Sequence, residues 1–491
     1  MHQNDTTKPT TSLSMSREEF VAVGHWLVDQ LAEHFESLDQ KKLTSGETPS
    51  QVQQALGMRT LPEKGQSARA VLEHALQLVM RHSLFPGHPR FWGYIIGAGT
   101  QIGALSDMLA ATVNPNVGGW NLAPMATEIE KQVIQWISEF IGYPTDAGGI
   151  LVSGGAMANY VGFLVGRRAQ ASWNIREEGL GAGPDQLRVY CSKETHTWIQ
   201  KAADLFGLGT RAISWIETDD TLRMDVHALD AAIRKDKEDG HMGLMVIATA
   251  GTVSTGVVDD LRAIGELCKK YQLWYHIDGA YGGPAAGVPE CKAEFDGLLM
   301  ADSIALDPHK WFYCPQEAGC VLVRDASKLT ATFSYRPPYY HFEDFEEAPG
   351  INFYEYGLQN SRGFRALKVW TGFLQAGRTG MQSMIRHDIQ LARLLYQLVS
   401  EETDFEPFQV NLSIVTFRYK PAARFMTEEE LNRLNEQIMV RLQNSGMAFL
   451  TNALVNTKFL LRACFVNIRT TEKDVRTLPG ILLEIARSLQ A

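Results

Sequence analysis

The segment Leu306-Asp307-Pro308-His309-Lys310-Trp311 places a lysine among apolar and aromatic residues, directly after the apolar run Ser303–Leu306. Such a run predicts a buried strand, and Lys310 would then follow the carboxyl end of that strand. A lysine that is partly withdrawn from water is a usable amine nucleophile, which can hold an aldehyde as a Schiff base. The alternative is a structural lysine whose stem lies on apolar surface while its charge reaches water.

Upstream, the segment Leu273-Trp274-Tyr275-His276-Ile277-Asp278-Gly279-Ala280 joins an apolar run to a carboxylate and a small residue. Side chains alternate along a strand, so His276, Asp278 and Ala280 are expected on one face. A flat heteroaromatic ring suits this pair, because Asp278 would keep a ring nitrogen protonated and Ala280 would leave room for the ring. Pyridoxal phosphate needs this arrangement, since its protonated ring acts as an electron sink. The alternative is an aspartate that caps the next turn.

Alternating strand-like and helix-like segments occupy the middle of the chain. Leu261–Tyr271 is one predicted helix. The seven predicted strands are Gly149–Val152, Arg188–Cys191, Ala212–Trp215, Leu244–Thr249, Leu273–Ile277, Ser303–Leu306 and Cys320–Val323. This alternation predicts an α/β fold with a mostly parallel sheet and helices on both of its faces. Ligands on such sheets bind beyond the carboxyl ends of the strands, where Asp278 and Lys310 are expected.

A chain of 491 residues is expected to form two or three domains. The periodicity predicts an amphipathic helix over 16–38 with Ser16 as its N-cap, a loop over 43–67 and a helix over 68–82. A long helix is predicted to begin after about residue 380, followed by α+β structure. The predicted divisions are a disordered tail (1–14), an N-terminal helical arm (15–85), a large domain (86–380) and a small α+β C-terminal domain (381–491).

Composition narrows the class of protein. With 45% hydrophobic and 21% charged residues, the chain is typical of a globular protein, and its net charge of −10 argues against a nucleic-acid surface. The polar N-terminus lacks the apolar core of a secretory signal, and no apolar stretch approaches the ~20 residues of a membrane span. The six cysteines form no CxxC pair. Reduced thiols, a cytoplasmic location and no metal site are therefore expected.

Asp278 and Lys310 with their flanks resemble the pyridoxal-phosphate-dependent amino-acid decarboxylases of group II, the aromatic-L-amino-acid and glutamate decarboxylase family. The similarity runs from about Phe20 to about Val475. Further matching segments are His88-Pro89-Arg90-Phe91, Trp120 with Ala123-Pro124 and Thr127-Glu128, Arg362-Gly363-Phe364-Arg365-Ala366-Leu367-Lys368, and Leu461-Arg462-Ala463-Cys464-Phe465-Val466-Asn467. The resemblance implies the aspartate-aminotransferase fold (fold type I), with a cofactor-binding large domain. It also implies a homodimer with shared active sites, in which the N-terminal arm embraces the partner.

The turn Val152-Ser153-Gly154-Gly155-Ala156-Met157 is predicted to join a strand to a helix, where small residues let backbone N–H groups approach an anion. A tight turn without a ligand is the alternative. The resemblance implies that Gly155, Ala156 and Met157 bind the cofactor phosphate through main-chain donors. It adds Asp307 and His309 as side-chain contacts.

The resemblance assigns further residues around the cofactor ring. His196 is expected to stack on the ring opposite Ala280, although a lone histidine is more often structural. Thr252 lies in a turn near the ring, where Val253 replaces a second threonine. Ser361, also placed among the cofactor-binding residues, matches a position where serine occurs in relatives that prefer phenols.

Residues 331–357 are rich in aromatic, acidic and proline residues without periodicity, which predicts a loop that is either disordered or a lid. By resemblance, Tyr339 is the catalytic tyrosine that reaches across the dimer and protonates the carbanion after carbon dioxide leaves. Tyr340 is the rival assignment. Relatives with phenylalanine there tend toward aldehyde formation, so a tyrosine favours simple decarboxylation.

The substrate is expected to be an aromatic L-amino acid, with an acidic one as the alternative. Tyr94, Trp120 and Tyr281 are placed in the substrate pocket, whereas Gly97 and Gly118 are expected to remove walls that aromatic-specific relatives carry. Another enzyme of the same fold, such as an aldehyde synthase, aminotransferase or carbon–sulfur lyase, is a further alternative. A noncatalytic binding protein would be expected to have lost Lys310 or Asp278.

Overall fold

The structure is a computed structural model that describes residues 13–57, 60–183, 186–336 and 350–490. Its strands are β1 (Gly148–Val152), β2 (Leu187–Ser192), β3 (Ile213–Ile216), β4 (Met242–Thr249), β5 (Trp274–Asp278), β6 (Ser303–Leu306), β7 (Gly319–Val323), β8 (Phe405–Asn411), β9 (Ile414–Tyr419), β10 (Thr451–Val455) and β11 (Lys458–Cys464). Its helices are α1 (Arg17–Glu36), α2 (Pro49–Leu56), α3 (Ala68–His82), α4 (Gln101–Val113), α5 (Pro124–Ile141), α6 (Gly155–Gln170), α7 (Ile175–Glu178), α8 (Trp198–Leu205), α9 (Val226–Glu238), α10 (Leu261–Tyr271), α11 (Ser327–Phe333), α12 (Ala366–Glu401), α13 (Glu428–Ser445) and α14 (Glu472–Gln490).

Seven strands form the large sheet in the order β1-β7-β6-β5-β4-β2-β3. The pairs among β2 to β6 are parallel, and β7 runs antiparallel to both β1 and β6. The predicted α/β fold with a mostly parallel sheet is therefore confirmed, and all seven predicted strands belong to it. Every residue of β5, β6 and β7 is buried, because the chain covers both faces of these central strands.

The C-terminal part forms a second, four-stranded antiparallel sheet in the order β10-β11-β9-β8. Helices α12 and α13 pack against this sheet, and α14 packs on these two helices. Helix α12 connects the two parts, and a non-helical residue, Gly377 with φ +63°, interrupts it. The predicted long helix therefore begins earlier than residue 380, at Ala366. Buried residues of α12 belong to the large core up to Ile389 and to the small core from Leu391 onward.

In the N-terminal arm, two predicted helices are confirmed and one segment differs from its prediction. Ser16 caps α1 by accepting the N–H of Glu19, and α3 spans the predicted residues. The prediction of a continuous loop over 43–67 is wrong, because α2 forms there. Its capping box at Thr48 satisfies the first backbone donors although the helix buries no residue. In the described part of the chain, no helix is both long and apolar enough to cross a membrane.

Candidate active site

A cavity lies at the carboxyl edge of the large sheet, where the loops after five strands converge. Asp278 is the last residue of β5, Lys310 follows β6 and Gly155 follows β1. The carboxylate, the amine and the glycine turn of the cavity therefore come from three separate strands. Its lining residues are Gly155, Ala156, Asn159, Glu194, His196, Thr249, Gly251, Val253, Asp278, Ala280, Tyr281, Asp307 and Lys310. The fold therefore brings together most of the residues that the sequence placed around a cofactor ring.

Asp278 is buried, and two donors fix its carboxylate. The indole Nε1–H of Trp198 donates to Oδ2 at 2.7 Å, and the backbone N–H of Ala280 donates to Oδ1 at 3.2 Å. A carboxylate accepts about four hydrogen bonds, so capacity remains for a cationic ring nitrogen. Sequence reasoning did not assign Trp198 to the site, because the residue starts α8 and its contact with β5 is non-local.

Lys310 extends from the turn after β6 with its side chain 21% exposed, which agrees with a partly withdrawn amine. Its Nζ lies 3.4 Å from Oδ2 of Asp307, and the same oxygen accepts the backbone N–H of Gly155 at 3.0 Å. Burial raises the pKa of Asp307 to about 6, opposed by the charge of Lys310. Burial and the charge of Lys310 lower the pKa of His309 to about 4. His309 is therefore a neutral neighbour of the amine at physiological pH.

Close packing leaves little room for a side chain at Gly155, in the turn between β1 and α6, and at Gly319 beside this turn. A Cβ on Gly155 would lie 2.9 Å from Oδ2 of Asp307 and 3.0 Å from Cβ of Ala280. A Cβ on Gly319 of β7 would approach the main chain of Gly154 to 2.5 Å. The first N–H groups of α6 have no partner within the helix and carry its positive dipole end. The N–H of Gly155 donates to Asp307, which leaves those of Ala156 and Met157 as groups that could hold a phosphate.

A buried histidine connects β5 to this turn. His276 contacts Asn159 Oδ1 through Nε2 and Ser303 Oγ through Nδ1, each at 2.8 Å. Asn159 in turn donates to the carbonyl oxygen of Gly155 at 2.9 Å. Burial lowers the pKa of His276 to about 4, so the ring stays neutral and acts as a structural link. Through this chain of hydrogen bonds, His276 supports the cavity wall at Gly155.

His196 is open to the cavity from the loop after β2, and its Nδ1 accepts the backbone N–H of Trp198 at 3.3 Å. Partial burial lowers the pKa of His196, and the negative charge of Asp278 opposes this shift. Ala280, the residue expected on the other face of a ring, lines the same cavity.

A second, larger cavity of about 470 Å³ shares His196, Val253 and Lys310 with the first and extends to the small domain. Arg462 of β11 lines it and is buried. Its Nη1 donates to the carbonyl of Tyr94 and to Thr451 Oγ1, whereas Nε and Nη2 have no hydrogen-bond partner among the described residues. Burial lowers the pKa of Arg462, yet a guanidinium stays charged. Sequence reasoning quoted Arg462 in a matching segment but gave it no role.

The residues present fit pyridoxal phosphate. The buried Oγ1 of Thr249 and Oε2 of Glu194 lack partners among the described residues and belong to side chains that line the first cavity, which suits a polar ligand. Asp278 offers a carboxylate to a ring nitrogen, Lys310 offers an amine to an aldehyde, and the start of α6 offers N–H donors to a phosphate.

Several residues assigned to the site line neither cavity. These are Trp120, Met157, Thr252, His309 and Ser361, although Met157 belongs to the first turn of α6 and Thr252 lies between two lining residues. Thr252 is buried, and its Oγ1 accepts the N–H of Val257 and contacts Thr255. The indole of Trp120 donates to Glu128, and Ser361 is exposed beside Arg362. Tyr339 and Tyr340 lie outside the described residues.

Two glycines have a different explanation from the expected one. A Cβ on Gly97 would lie 2.5 Å from the carbonyl oxygen of His309 and 2.6 Å from that of Lys310. A Cβ on Gly118 would lie 2.3 Å from the carbonyl oxygen of Asn360. The interpretation that these glycines remove pocket walls is wrong, because main chain already fills the space beside them. Gly97 instead allows the chain to pack against the turn that carries Lys310.

An amine and a carboxylate at the carboxyl edge of a mostly parallel sheet, next to a glycine-rich helix start, define a pyridoxal-phosphate enzyme of fold type I. The profile of the pyridoxal-dependent decarboxylase conserved domain matches residues 49–420. The chain belongs to this family of carboxy-lyases, and its cofactor is pyridoxal 5'-phosphate.

Individual relatives are similar to this chain over nearly its whole length and theirs. The aromatic-L-amino-acid decarboxylase of Bacillus atrophaeus is 33% identical over 465 residues, which cover 94% of this chain and 95% of the relative. The phenylacetaldehyde synthase of Petunia hybrida is 28% identical over 471 residues, covering 92% and 91%. The crystal structure of Oryza sativa TDC with PLP and tryptamine is similar with a TM-score of 0.91 at 25% identity, covering 98% of this chain and 100% of that one.

Proposed function

We propose that the protein decarboxylates an aromatic L-amino acid to the corresponding amine and carbon dioxide. The observation that carries the proposal is the pair of joined cavities. One contains Lys310 and Asp278, and the other leads from Lys310 to Arg462, whose Nε and Nη2 have no partner among the described residues. An amino-acid substrate carries an amine and a carboxylate, and these two cavities offer a partner to each.

Each residue of the first cavity has a distinct part in this proposal. Pyridoxal phosphate, when bound, supplies an electron sink for the electron pair released as the bond from Cα to the carboxylate breaks. Asp278 would hold a proton on the ring nitrogen, and Trp198 keeps the carboxylate oriented for it. Lys310 Nζ would hold the cofactor aldehyde. His196 and Ala280 would contact the ring, and Asp307 orients Lys310 Nζ.

We assign the proton transfer to Tyr339. Its hydroxyl would deliver a proton to Cα after carbon dioxide departs, which yields an amine. Tyr340 remains the alternative donor, since the two residues are adjacent. The relative named phenylacetaldehyde synthase supports aldehyde formation as a side reaction of the same site.

The choice of substrate rests on the aromatic residues of the two cavities. Tyr94 lines the larger cavity, Tyr281 lines the first, and the Bacillus atrophaeus relative is named for aromatic L-amino acids. Arg462 supports an acidic amino acid as the second candidate, because a buried cation with unpaired nitrogens can hold a carboxylate.

We propose that the working form is a homodimer. Leu105, Leu109 and Val113 share one face of α4 at a spacing of four residues, and each is more than half exposed. Such an apolar face is typical of a surface that a second copy covers. A cytoplasmic location is supported by the six cysteines, all free and buried.

A panel of L-amino acids, scored separately for carbon dioxide, amine and aldehyde, tests the proposed reaction. Aromatic substrates should release carbon dioxide and amine in equal amounts, and Lys310→Ala should abolish turnover. Lys328→Ala, on the surface, is the matched control. Release of carbon dioxide from acidic substrates alone would overturn the aromatic assignment, and full activity of Lys310→Ala would overturn the mechanism.

The variant Tyr339→Phe tests whether Tyr339 is the proton donor. It should suppress amine formation and divert product to aldehyde, because Cα no longer receives its proton promptly. An unchanged amine yield in this variant, with a loss in Tyr340→Phe, would transfer the role to Tyr340.

A further inference from the structure

Asp388, in the middle of α12, is a buried carboxylate to which the proposed chemistry gives no part. It is 1% exposed, and within the described residues it forms no ion pair with a lysine or arginine. Burial of an unpaired carboxylate is costly, so other contacts must offset the loss of water.

Two side-chain donors converge on one oxygen of Asp388. The indole Nε1–H of Trp311 donates to Oδ2 at 2.9 Å, and the hydroxyl of Tyr313 donates to the same atom at 2.7 Å. The backbone N–H of Asn467 is a third donor to this carboxylate. Three donors therefore converge on one buried carboxyl group and fix its orientation.

Both side-chain donors belong to the turn that carries Lys310. Trp311 is the next residue, and the backbone N–H of Tyr313 donates to the carbonyl oxygen of Lys310 at 3.2 Å. Asp388 therefore fixes this turn from its outer side, while Gly97 packs against its main chain from another side.

The same contact extends to the loop after Asp278. The ring of Trp311 stacks on Tyr281 with centroids 5.1 Å apart and an interplanar angle of 15°. Tyr281 lines the Lys310 cavity, and its hydroxyl accepts the backbone N–H of Ser413 at 3.0 Å. The loops that present Lys310 and Asp278 are thus both attached to the C-terminal part of the chain.

We propose that Asp388 is a positioning residue for Lys310: it holds Trp311 and Tyr313 so that Nζ is directed at the reacting carbon. The inference rests on the proposed role of Lys310. Without the carboxylate, Trp311 and Tyr313 would seek other acceptors and the turn between them would shift. Reactivity is sensitive to such a shift, since a displacement of ~1 Å can cost about a hundredfold in rate.

Asp388→Asn tests the proposal, because it keeps the shape and one acceptor oxygen but removes the charge. The rate at which Lys310 bonds to added pyridoxal phosphate is followed by absorbance, with borohydride fixing the product for mass analysis of Lys310. We expect this rate and kcat to fall on the order of tenfold or more. KM should change little, since Asp388 does not line either cavity.

Asp302→Asn is the matched control. Asp302 precedes β6 at the opposite edge of the sheet, burial raises its pKa, and it accepts the N–H of Tyr275 at 2.8 Å. Both variants should lose thermal stability, but only Asp388→Asn should slow the reaction of Lys310. Equal reaction rates in Asp388→Asn and the parent would overturn the positioning role.

Trp311→Phe keeps the test decisive if Asp388→Asn does not fold. It retains the stacking on Tyr281 and removes one donor, so the reaction of Lys310 should again slow, and an unchanged rate would refute the proposal. A parent protein in which borohydride fixes no cofactor on Lys310 would refute the proposed function itself. The two failures are therefore distinguishable.

Discussion

At the scale of single residues, the electronic properties of the site depend on how Asp278 is held. Its carboxylate accepts an indole N–H from Trp198, a residue 80 positions away along the chain. Trp198 is itself fixed, because its ring meets His276 edge-on with centroids 5.9 Å apart. The sequence predicted Asp278 from its neighbours in β5, but Trp198 could not be predicted, since only the packing of α8 against the sheet brings it there.

Trp198→Phe should weaken the binding of pyridoxal phosphate by about tenfold, because a hydrogen bond to a charged group contributes about 1.5–3 kcal/mol. Phenylalanine keeps most of the aromatic packing while it removes the donor. The dissociation constant, measured by titrating the apoprotein with cofactor and following absorbance, checks this prediction.

Trp173→Phe provides the control for the loss of an indole donor, since Trp173 donates to the carbonyl of Gly179 away from the cavity. Its cofactor affinity should equal that of the parent. If Trp198→Phe also bound the cofactor with parental affinity, the orientation of Asp278 would have to come from Ala280 alone.

At the scale of elements, the strands of the large sheet were predictable and the supports of the site were not. Short apolar runs such as Ser303–Leu306 mark strands that are buried on both faces. Helix α2 was missed because it buries nothing, and only Thr48, Pro49 and Gln51 indicate its start. Helix α12 was placed too late, since Gly377 interrupts the pattern. The contact of Asp388 with Trp311 depends on tertiary packing that local periodicity does not encode.

The charge of Asp388 gives α12 a testable pH dependence. Burial raises the pKa of Asp388 from 3.8 to about 7, so the native protein keeps a proton that the unfolded chain releases between these values. Raising the pH through this window therefore favours the unfolded chain. Tyr313 and Cys464 face Asp388, and their pKa values are raised above their usual range, so both stay neutral.

The melting temperature of the parent should consequently fall relative to that of Asp388→Asn as the pH rises from about 5 to about 8. Asparagine does not titrate, and every other group is common to both proteins, so the difference isolates Asp388. His387, the preceding residue, contacts the carbonyl of Thr470 in both. A difference in melting temperature that is constant across this range, or that grows in favour of the parent, would contradict a raised pKa.

At the scale of the whole molecule, one chain leaves apolar surface uncovered on helices of its N-terminal third. In α1, among the residues described, only Val23 is buried, and α3 buries none. The exposed face of α4 adds to this surface. In the proposed homodimer, a second copy would cover these helices. Such an assembly would allow Tyr339 of one chain to serve Lys310 of the other.

A mixed dimer of two inactive variants tests whether the sites are shared. One chain carries Lys310→Ala and the other Tyr339→Phe, with different affinity tags so that only heterodimers are purified. If Tyr339 acts across the interface, one of the two sites combines native Lys310 with native Tyr339, and amine formation should recover to about half of the parental rate. If each site uses its own tyrosine, neither site is complete and the mixture stays as inactive as its parents. The same experiment with Tyr340→Phe decides between the adjacent tyrosines, because the homodimer of a tyrosine variant forms no amine, and the mixed dimer recovers it, only when the substituted tyrosine is the donor.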